Sequence, residues 1–276
     1  MLNSSKEKSG KYFWIIFAVI TVIYVAAMSV FTFYDYEITS SLYDKGTAFG
    51  VIFEISGPVF MPFFGIYSIV SLPFVLKVKK TPVKVLLYVV LILLYAYYCF
   101  MGAFTLKYSY APFMFIPSII IYVTFTVLCF FINVKMPDSK RAIHKCVILV
   151  TFFTVLTAML GVDLIKVVFG RKRFYTITSE EYAPWYVIQS HALNSSFPSG
   201  HVSRAALSLC FALLCYYKNK KYVPLIKVVA VIFTVLVAVS RLYEGMHYPT
   251  DVITAVFITM SVFFISERYL IRTKKL

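Results

Sequence analysis

The stretch SRLYEGMHYPTD, residues 240–251, lies between two long apolar runs and brings an Arg, a Glu, a His and an Asp together. Membrane-embedded chains rarely keep such ionisable groups without a use for them. Pro249 favours a helix start, so Asp251 is expected in the first helical turn. His247 then stands at the mouth of that helix, where an Asp can hold the proton of one ring nitrogen and leave the other nitrogen free. From this stretch alone, a helix cap without chemistry is an equal alternative.

The composition is far from that of a soluble globular domain. Of 276 residues, 61% are apolar and only 14% are charged, a balance typical of membrane proteins. The net charge of +15 is expected in cytoplasmic loops that face anionic lipid, and we predict no nucleic-acid binding. The five cysteines lie in or beside apolar runs and form no CxxC pair, which indicates buried thiols without a metal site or a disulfide framework.

Eight apolar runs are each long enough to cross a bilayer as a helix, which takes about 20 residues. They cover residues 13–33, 48–76, 85–104, 112–134, 146–169, 200–217, 222–240 and 249–271. The sequence therefore predicts an all-α fold, a polytopic integral membrane bundle of about eight transmembrane helices.

The distribution of charge orients these spans. If the N-terminus is cytoplasmic, the cytoplasmic segments hold 19 of the 27 basic residues but only three of the 12 acidic residues. This is the positive-inside pattern. Because the number of spans is even, both termini are predicted to be cytoplasmic.

A second stretch, KVVFGRKRF at residues 166–174, closes the fifth predicted span with four cations on the non-cytoplasmic side. Arg and Lys side chains bind phosphate oxygens, so the stretch fits a phosphate clamp. Gly170 suits the point where the chain leaves the helix. A surface anchor that contacts lipid headgroups is the alternative.

A third stretch, FPSGH at residues 197–201, opens the sixth predicted span. The backbone N–H groups near Ser199 and Gly200 are expected at a helix start, where they form a ready anion site. His201 lies in the first turn, beside any anion bound there. Arg204, one turn further on, either adds charge to this site or extends its side chain to the membrane surface.

All three stretches fall at the non-cytoplasmic ends of their spans, so they are expected to meet at one face. Together they supply cations, backbone donors and two histidines with an Asp for one phosphate. No cluster of Asp, Glu or His suits a catalytic divalent ion. We therefore expect phosphoryl transfer through a covalent histidine, without a metal or another cofactor.

The three stretches resemble the signatures of the type 2 phosphatidic acid phosphatase superfamily. The family's first signature is a Lys, six residues and then Arg-Pro; Lys166 and Arg173 keep this spacing, but Phe174 stands where the family has Pro. The second signature, Pro-Ser-Gly-His, is intact at residues 198–201. The third, Ser-Arg, five residues, His, three residues and Asp, is intact at residues 240–251. The matched region, residues 166–251, is about a third of the chain.

The resemblance implies roles for individual residues. His247 is expected to attack phosphorus, Asp251 to orient it, and His201 to protonate the leaving lipid oxygen and then help to activate water. The residues implied as phosphate-binding are Lys166, Arg173, Ser199, Gly200 and Arg241.

The resemblance further implies a metal-independent membrane lipid phosphatase that hydrolyses a lipid mono- or diphosphate through a phosphohistidine. A polyprenyl diphosphate is slightly favoured, while phosphatidylglycerophosphate, phosphatidic acid and lipid A phosphates stay open. The alternatives are a lipid phosphotransferase and a non-enzymatic anion or lipid transporter. The expected partners are the lipid phosphate substrate and membrane lipids, and the expected location is a bacterial cell membrane with the active site on the non-cytoplasmic face. Residues 1–145 are predicted to form four spans that handle the lipid tail, and residues 146–276 a four-span catalytic core.

Overall fold

The computed structural model describes residues 2–76, 78–109, 115–189 and 195–272, which contain helices and no β-strand. The α-helices are α1 (Leu2–Leu42), α2 (Ala48–Ser56), α3 (Phe60–Val75), α4 (Thr81–Ser109), α5 (Phe115–Val134), α6 (Asp138–Leu156), α7 (Val162–Phe169), α8 (Gly200–Ala205), α9 (Phe211–Leu214), α10 (Val223–Tyr243) and α11 (Pro249–Glu267). A π-helical turn, Thr157–Gly161, joins α6 to α7, and a 3-10 segment, Ala206–Cys210, joins α8 to α9.

Seven helical segments of the described chain are long and apolar enough to cross a membrane. They are Lys11–Leu42, Ala48–Val75, Thr81–Ala103, Phe115–Val134, Asp138–Thr176, Lys220–Tyr243 and Pro249–Ile271. The all-α, polytopic membrane class is thus confirmed, with seven candidate spans in place of about eight. The predicted sixth span, residues 200–217, is helical throughout but is not among the seven, because His201, Arg204 and its serines interrupt the apolar run. The cytoplasmic placement of both termini stays a prediction.

The packing order brings N-terminal helices against the C-terminal half. Helix α3 packs on α4, α5 and α6, α1 lies along α11, and α2 lies along α10. Much of the apolar surface of α1, α4 and α5 is exposed, as expected where lipid is the solvent. Helix α1 continues to Leu42, well past the predicted end of its span at residue 33. This extension brings α1 to the loop that follows α7.

Three loops meet at one end of the bundle. Gly170, at φ 58°, ends α7 in the left-handed conformation that glycine favours. Backbone hydrogen bonds then join the loops: Ser196 N donates to Arg171 O at 2.7 Å, Ser199 N to Asp251 O at 3.1 Å, and Tyr175 N to Gly245 O at 3.2 Å. The predicted meeting of the three stretches at one face is therefore seen in the structure.

Candidate active site

His247 and Asp251 lie together at the start of α11. The Nδ1 atom of His247 is 3.5 Å from Asp251 Oδ2 and 3.3 Å from Ser196 Oγ. Asp251 Oδ2 also accepts hydrogen bonds from Tyr248 N at 2.9 Å and from Ser196 Oγ. Because these contacts to His247 use Nδ1, they leave Nε2 for a substrate. Pro249 is the first residue of the helix, as predicted.

The His247 imidazole is almost fully buried. Burial and, to a smaller extent, the neighbouring cations Lys166 and Arg173 lower its pKa from 6.5 to about 3, although Asp251 acts in the opposite direction. At neutral pH the ring is therefore uncharged, and an uncharged imidazole nitrogen has a lone pair with which to attack.

Arg171 holds the other oxygen of Asp251. This side chain is 1% exposed, and its Nη1 donates to Asp251 Oδ1 at 2.8 Å. Its Nη2 donates to Asp35 Oδ2 at 2.9 Å, and its guanidinium carbon lies 3.9 Å from the centre of the Tyr248 ring. Arg171 is thus engaged by two buried carboxylates and an aromatic face.

Asp35 comes from α1 and was not singled out from the sequence. Its Oδ1 accepts a hydrogen bond from Thr250 N at 2.9 Å, and its Oδ2 accepts one from Thr250 Oγ1. Asp35, Arg171 and Asp251 therefore form a buried chain of charges from α1 to the start of α11. One signal in the sequence could have indicated Asp35: it is an acidic residue just after the first apolar run, on the same predicted side of the membrane as the three stretches.

Lys166 lies beside the start of α8. Its Nζ donates to Ser195 O at 2.8 Å and reaches Ser196 O at 3.4 Å. A Cβ placed on Gly200 would stand 3.4 Å from Lys166 Cε, so the missing side chain of glycine allows this approach. Ser199 caps α8 by accepting a hydrogen bond from Val202 N. The structure therefore brings the second and third stretches into contact.

Arg241 is fully buried near the end of α10. Its Nη2 donates to Gly50 O at 2.6 Å and its Nε to Ser240 Oγ at 3.2 Å. Its Nη1 is 3.5 Å from Glu54 Oε2 and has no hydrogen-bond partner in the described residues. Helix α2 thus supplies the backbone oxygen and the carboxylate that hold this arginine.

Two further arginines also have an unpaired buried nitrogen. Arg173 Nη1 lies 3.2 Å from Met246 Sδ, whereas Arg204 Nη2 lies 3.6 Å from Asp163 Oδ2. The Nε atom of each is buried and unpartnered within the described chain. His201 lies within electrostatic range of Arg173, Arg204, Arg241 and His247. The two histidines therefore share a cationic environment that retains spare donors.

Phe174 follows Arg173 and packs within the protein. Its ring centre lies 5.3 Å from that of Tyr36, 5.3 Å from that of Tyr43 and 6.3 Å from that of Tyr248. The ring that stands where the family has Pro is therefore held by aromatic side chains from α1, from the residue that follows α1 and from the loop before α11.

No group of three or more His, Cys, Asp or Glu side chains in the described part of the chain is arranged to hold a metal ion. No disulfide bond joins the cysteines in the described part of the chain, which are Cys99, Cys129, Cys146, Cys210 and Cys215.

The comparisons with known proteins agree with this site. Residues 147–274 match the model of the PAP2 superfamily. This part of the chain is a PAP2 superfamily domain. The PAP2 domain contains all three signature stretches, so the resemblance inferred from the residues is confirmed.

Three relatives are lipid phosphatases by name. The chain is 28% identical over 116 residues to phosphatidylglycerophosphatase B of Bacillus subtilis (strain 168), covering 38% of this chain and 56% of that protein. It is 36% identical over 80 residues to undecaprenyl-diphosphatase BcrC of the same organism, covering 29% of this chain and 37% of that protein. It is 33% identical over 106 residues to lipid A 1-phosphatase of Rhizobium johnstonii (strain DSM 114642 / LMG 32736 / 3841), covering 37% of this chain and 39% of that protein. The chain therefore matches between about a third and about half of the length of these relatives, and no solved structure matches it.

Proposed function

We propose that this protein is a membrane lipid phosphatase that hydrolyses a lipid mono- or diphosphate through a phosphohistidine on His247. The observation that carries the proposal is the pairing of a neutral histidine, held at Nδ1, with buried guanidinium nitrogens that have no partner in the described residues. Buried donors normally find an acceptor. Phosphate oxygens would satisfy them, because arginine is well suited to bind phosphate.

In the first step, His247 Nε2 attacks phosphorus. The N–P bond forms, the bond from phosphorus to the lipid oxygen breaks, and its electron pair passes to that oxygen. His201 donates a proton to the oxygen, which leaves with the lipid. Asp251, fixed by Arg171 and Tyr248, accepts the hydrogen bond from Nδ1 and stabilises the positive charge that the ring gains.

In the second step, water attacks the phosphohistidine. His201, now unprotonated, accepts a proton from this water, the N–P bond breaks, and its electron pair returns to Nε2. Inorganic phosphate leaves, and both histidines regain their initial states. The reaction consumes one water and needs no external electron donor or acceptor.

The cations stabilise the charge that is redistributed on the phosphoryl oxygens. Arg173 and Arg241 each offer an unpaired donor, and Lys166 adds a charge beside Ser199 and Gly200. Groups fixed in place before the reaction stabilise such a transition state without reorganisation. The chemistry is complete with these side chains, so we propose a metal-independent enzyme.

The substrate tail is proposed to lie among the four N-terminal spans of residues 1–145. An apolar cavity of about 440 Å³ between α3, α5 and α9 is lined by Phe60, Phe63, Phe125 and Phe211, among others. The turn before α3 adjoins the active site, because a Cβ on Gly57 would stand 3.6 Å from His201 O. Val59, which lines the cavity, belongs to the same turn, so one end of the cavity lies on the side of His201.

The relatives named above act, by their names, on phosphatidylglycerophosphate, undecaprenyl diphosphate and lipid A. Among these classes we favour a polyprenyl diphosphate. The charge pattern of the sequence supports an active site on the non-cytoplasmic face of a bacterial cell membrane.

The test is phosphate release by the detergent-solubilised protein from a panel of lipid mono- and diphosphates. The wild type should release phosphate, and His247→Asn should abolish release because asparagine cannot accept the phosphoryl group. Lys172→Gln is the matched control, since this surface cation pairs with Glu181 at 3.1 Å and has no proposed role. With a radioactive phosphate label, rapidly denatured wild type should retain label on His247. Normal turnover by His247→Asn would contradict the mechanism.

A further inference from the structure

Arg204 is not used by the mechanism above. Its side chain is only 12% exposed, and its contact with Asp163 Oδ2, at 3.6 Å, is longer than a hydrogen bond. Its buried Nε has no partner in the described residues. A guanidinium ion that is mostly removed from water and so weakly paired is costly unless another anion completes its surroundings.

The position of Arg204 relative to the phosphate site is defined by two helices. Asp163 precedes Lys166 by about one turn of α7, and Arg204 follows Gly200 by about one turn of α8, roughly 5 Å along each axis. Helix α7 ends and α8 begins at the same end of the bundle. Asp163 and Arg204 therefore both lie about one helical turn further from that end than the phosphate site does. The Arg204 guanidinium still adjoins the site, because a Cβ on Gly200 would stand 3.9 Å from Arg204 Cζ.

Asp163 is held in place by a third helix. Tyr97 of α4 donates a hydrogen bond to Asp163 Oδ2 at 3.1 Å. This hydrogen bond does not depend on Arg204, so the carboxylate keeps it if Arg204 turns to another anion. The pair can therefore separate without leaving the carboxylate unpartnered.

We propose that Arg204 binds the second phosphate of a lipid diphosphate, the one that stays on the lipid. The proposal rests on the proposed function and names its substrate class. If a phosphoryl group binds at Lys166 and Gly200 and the lipid tail enters among the helices, the next group of the substrate lies on the side of Arg204. In a diphosphate the next group on that side is an anion, whereas in a monophosphate it is an uncharged carbon chain.

The chemistry explains what the arginine contributes. When His247 Nε2 attacks the terminal phosphorus, the bond from that phosphorus to the bridging oxygen breaks, and the electron pair stays on the bridging oxygen. Negative charge therefore develops on the remaining lipid phosphate until His201 donates its proton to that oxygen. Arg204 would stabilise this charge as it develops, and charge-assisted hydrogen bonds to phosphate are among the stronger ones. The products are a lipid monophosphate and, after hydrolysis of the phosphohistidine, inorganic phosphate.

The test compares kcat/KM for a polyprenyl diphosphate and for the polyprenyl monophosphate with the same chain. Arg204→Gln should lower the diphosphate-to-monophosphate ratio by about 100-fold, the scale seen when one charge-stabilising donor is removed. Arg204→Lys should lower it by about tenfold, because lysine keeps the charge but not the planar fork. A ratio within threefold of the wild type in both variants would overturn the proposal.

A double variant separates this role from simple neutralisation of Asp163. If Arg204 only balances that charge, Asp163→Asn combined with Arg204→Gln should restore the wild-type ratio, and restoration would overturn the proposal. A ratio that stays low supports it. If Arg204→Gln does not fold, Arg204→Lys decides by the same ratio. Wild-type protein that hydrolyses neither polyprenyl lipid but releases phosphate from another lipid of the panel would overturn this proposal alone. Release from no lipid of the panel would refute the proposed function.

Discussion

Replacing Arg171 with methionine would remove the cation between two buried carboxylates while keeping an apolar side chain of similar length. Arg171 is 1% exposed and pairs with Asp35 and Asp251, both of which are 0% exposed. Removing one partner of a buried ion pair costs about 3–5 kcal/mol, because the remaining charge is left uncompensated. Here two carboxylates lose their partner, so we expect the free energy of unfolding to fall by about 5 kcal/mol, the upper end of this range.

Arg173→Met is expected to leave stability almost unchanged and to lower activity instead. Arg173 is partly exposed, its Nη1 contacts the sulfur of Met246, and its Nε is unpaired among the described residues. Its removal should change stability by less than about 1 kcal/mol. It should lower kcat/KM about 100- to 1,000-fold, because it deletes a donor to the transferring phosphoryl group.

The assay measures thermal unfolding in detergent and kcat/KM on one lipid phosphate for each variant. Asp35→Asn added to Arg171→Met should recover part of the lost stability, since one of the two uncompensated charges is then removed. Stable Arg171→Met protein together with unfolded Arg173→Met protein would refute the division of roles between the two arginines.

Three further predictions address the mechanism, the loop and the topology. Chelators should leave turnover intact; loss of activity in EDTA that magnesium or zinc restores would contradict the metal-independent scheme. Phe174→Ala should lower kcat/KM about tenfold, or about 1.4 kcal/mol, because the loop behind Arg173 loses its contacts with the rings of Tyr36 and Tyr43; wild-type kinetics would show that the ring does not position the loop. Reporter fusions after residues 180 and 220 should report opposite compartments, with residue 180 outside, and the same compartment for both would refute the proposed orientation.

The pH dependence of stability should report on His247. Its folded pKa of about 3 lies below the ordinary value of 6.5, so the unfolded chain takes up the proton first as the pH falls. Stability is therefore fully present above about pH 6.5 and falls as the pH drops towards 3. Between pH 7 and pH 5 the loss from this group is about 2 kcal/mol. His247→Asn should lack this component when the unfolding midpoints are compared; an equal pH effect in both proteins would contradict the neutral, buried histidine.

Local signals in the sequence predicted the frame of the site. Pro249 begins α11, Gly170 ends α7 in the left-handed conformation, and Ser199 caps α8. Each of these is a property of a few neighbouring residues, so it can be inferred without tertiary contacts. The alternation of spans then places the three stretches at one end, as the backbone hydrogen bonds between them show.

The partners of the arginines could not be inferred in this way. Arg171 and Arg173 are two residues apart and chemically alike, and the difference between them arises from Asp35, which is 136 residues away from Arg171. The backbone oxygen that holds Arg241 belongs to Gly50, 191 residues away. Such contacts depend on how α1 and α2 pack against the C-terminal half, and one sequence carries no direct signal for that packing.

The contacts of α1 and α2 also decide how the molecule can be taken apart. Residues 147–274, which match the PAP2 superfamily, contain the three stretches, but Asp35, Gly50 and Glu54 lie outside this segment. A fragment restricted to the matched segment would retain the buried arginines Arg171 and Arg241. It would lose Asp35, which pairs with Arg171, and the Glu54 carboxylate and Gly50 carbonyl group that contact Arg241. The matched segment therefore depends on α1 and α2. A chimera that joins it to other N-terminal helices would need acidic residues in place of Asp35 and Glu54 and a hydrogen-bond acceptor in place of the Gly50 carbonyl group.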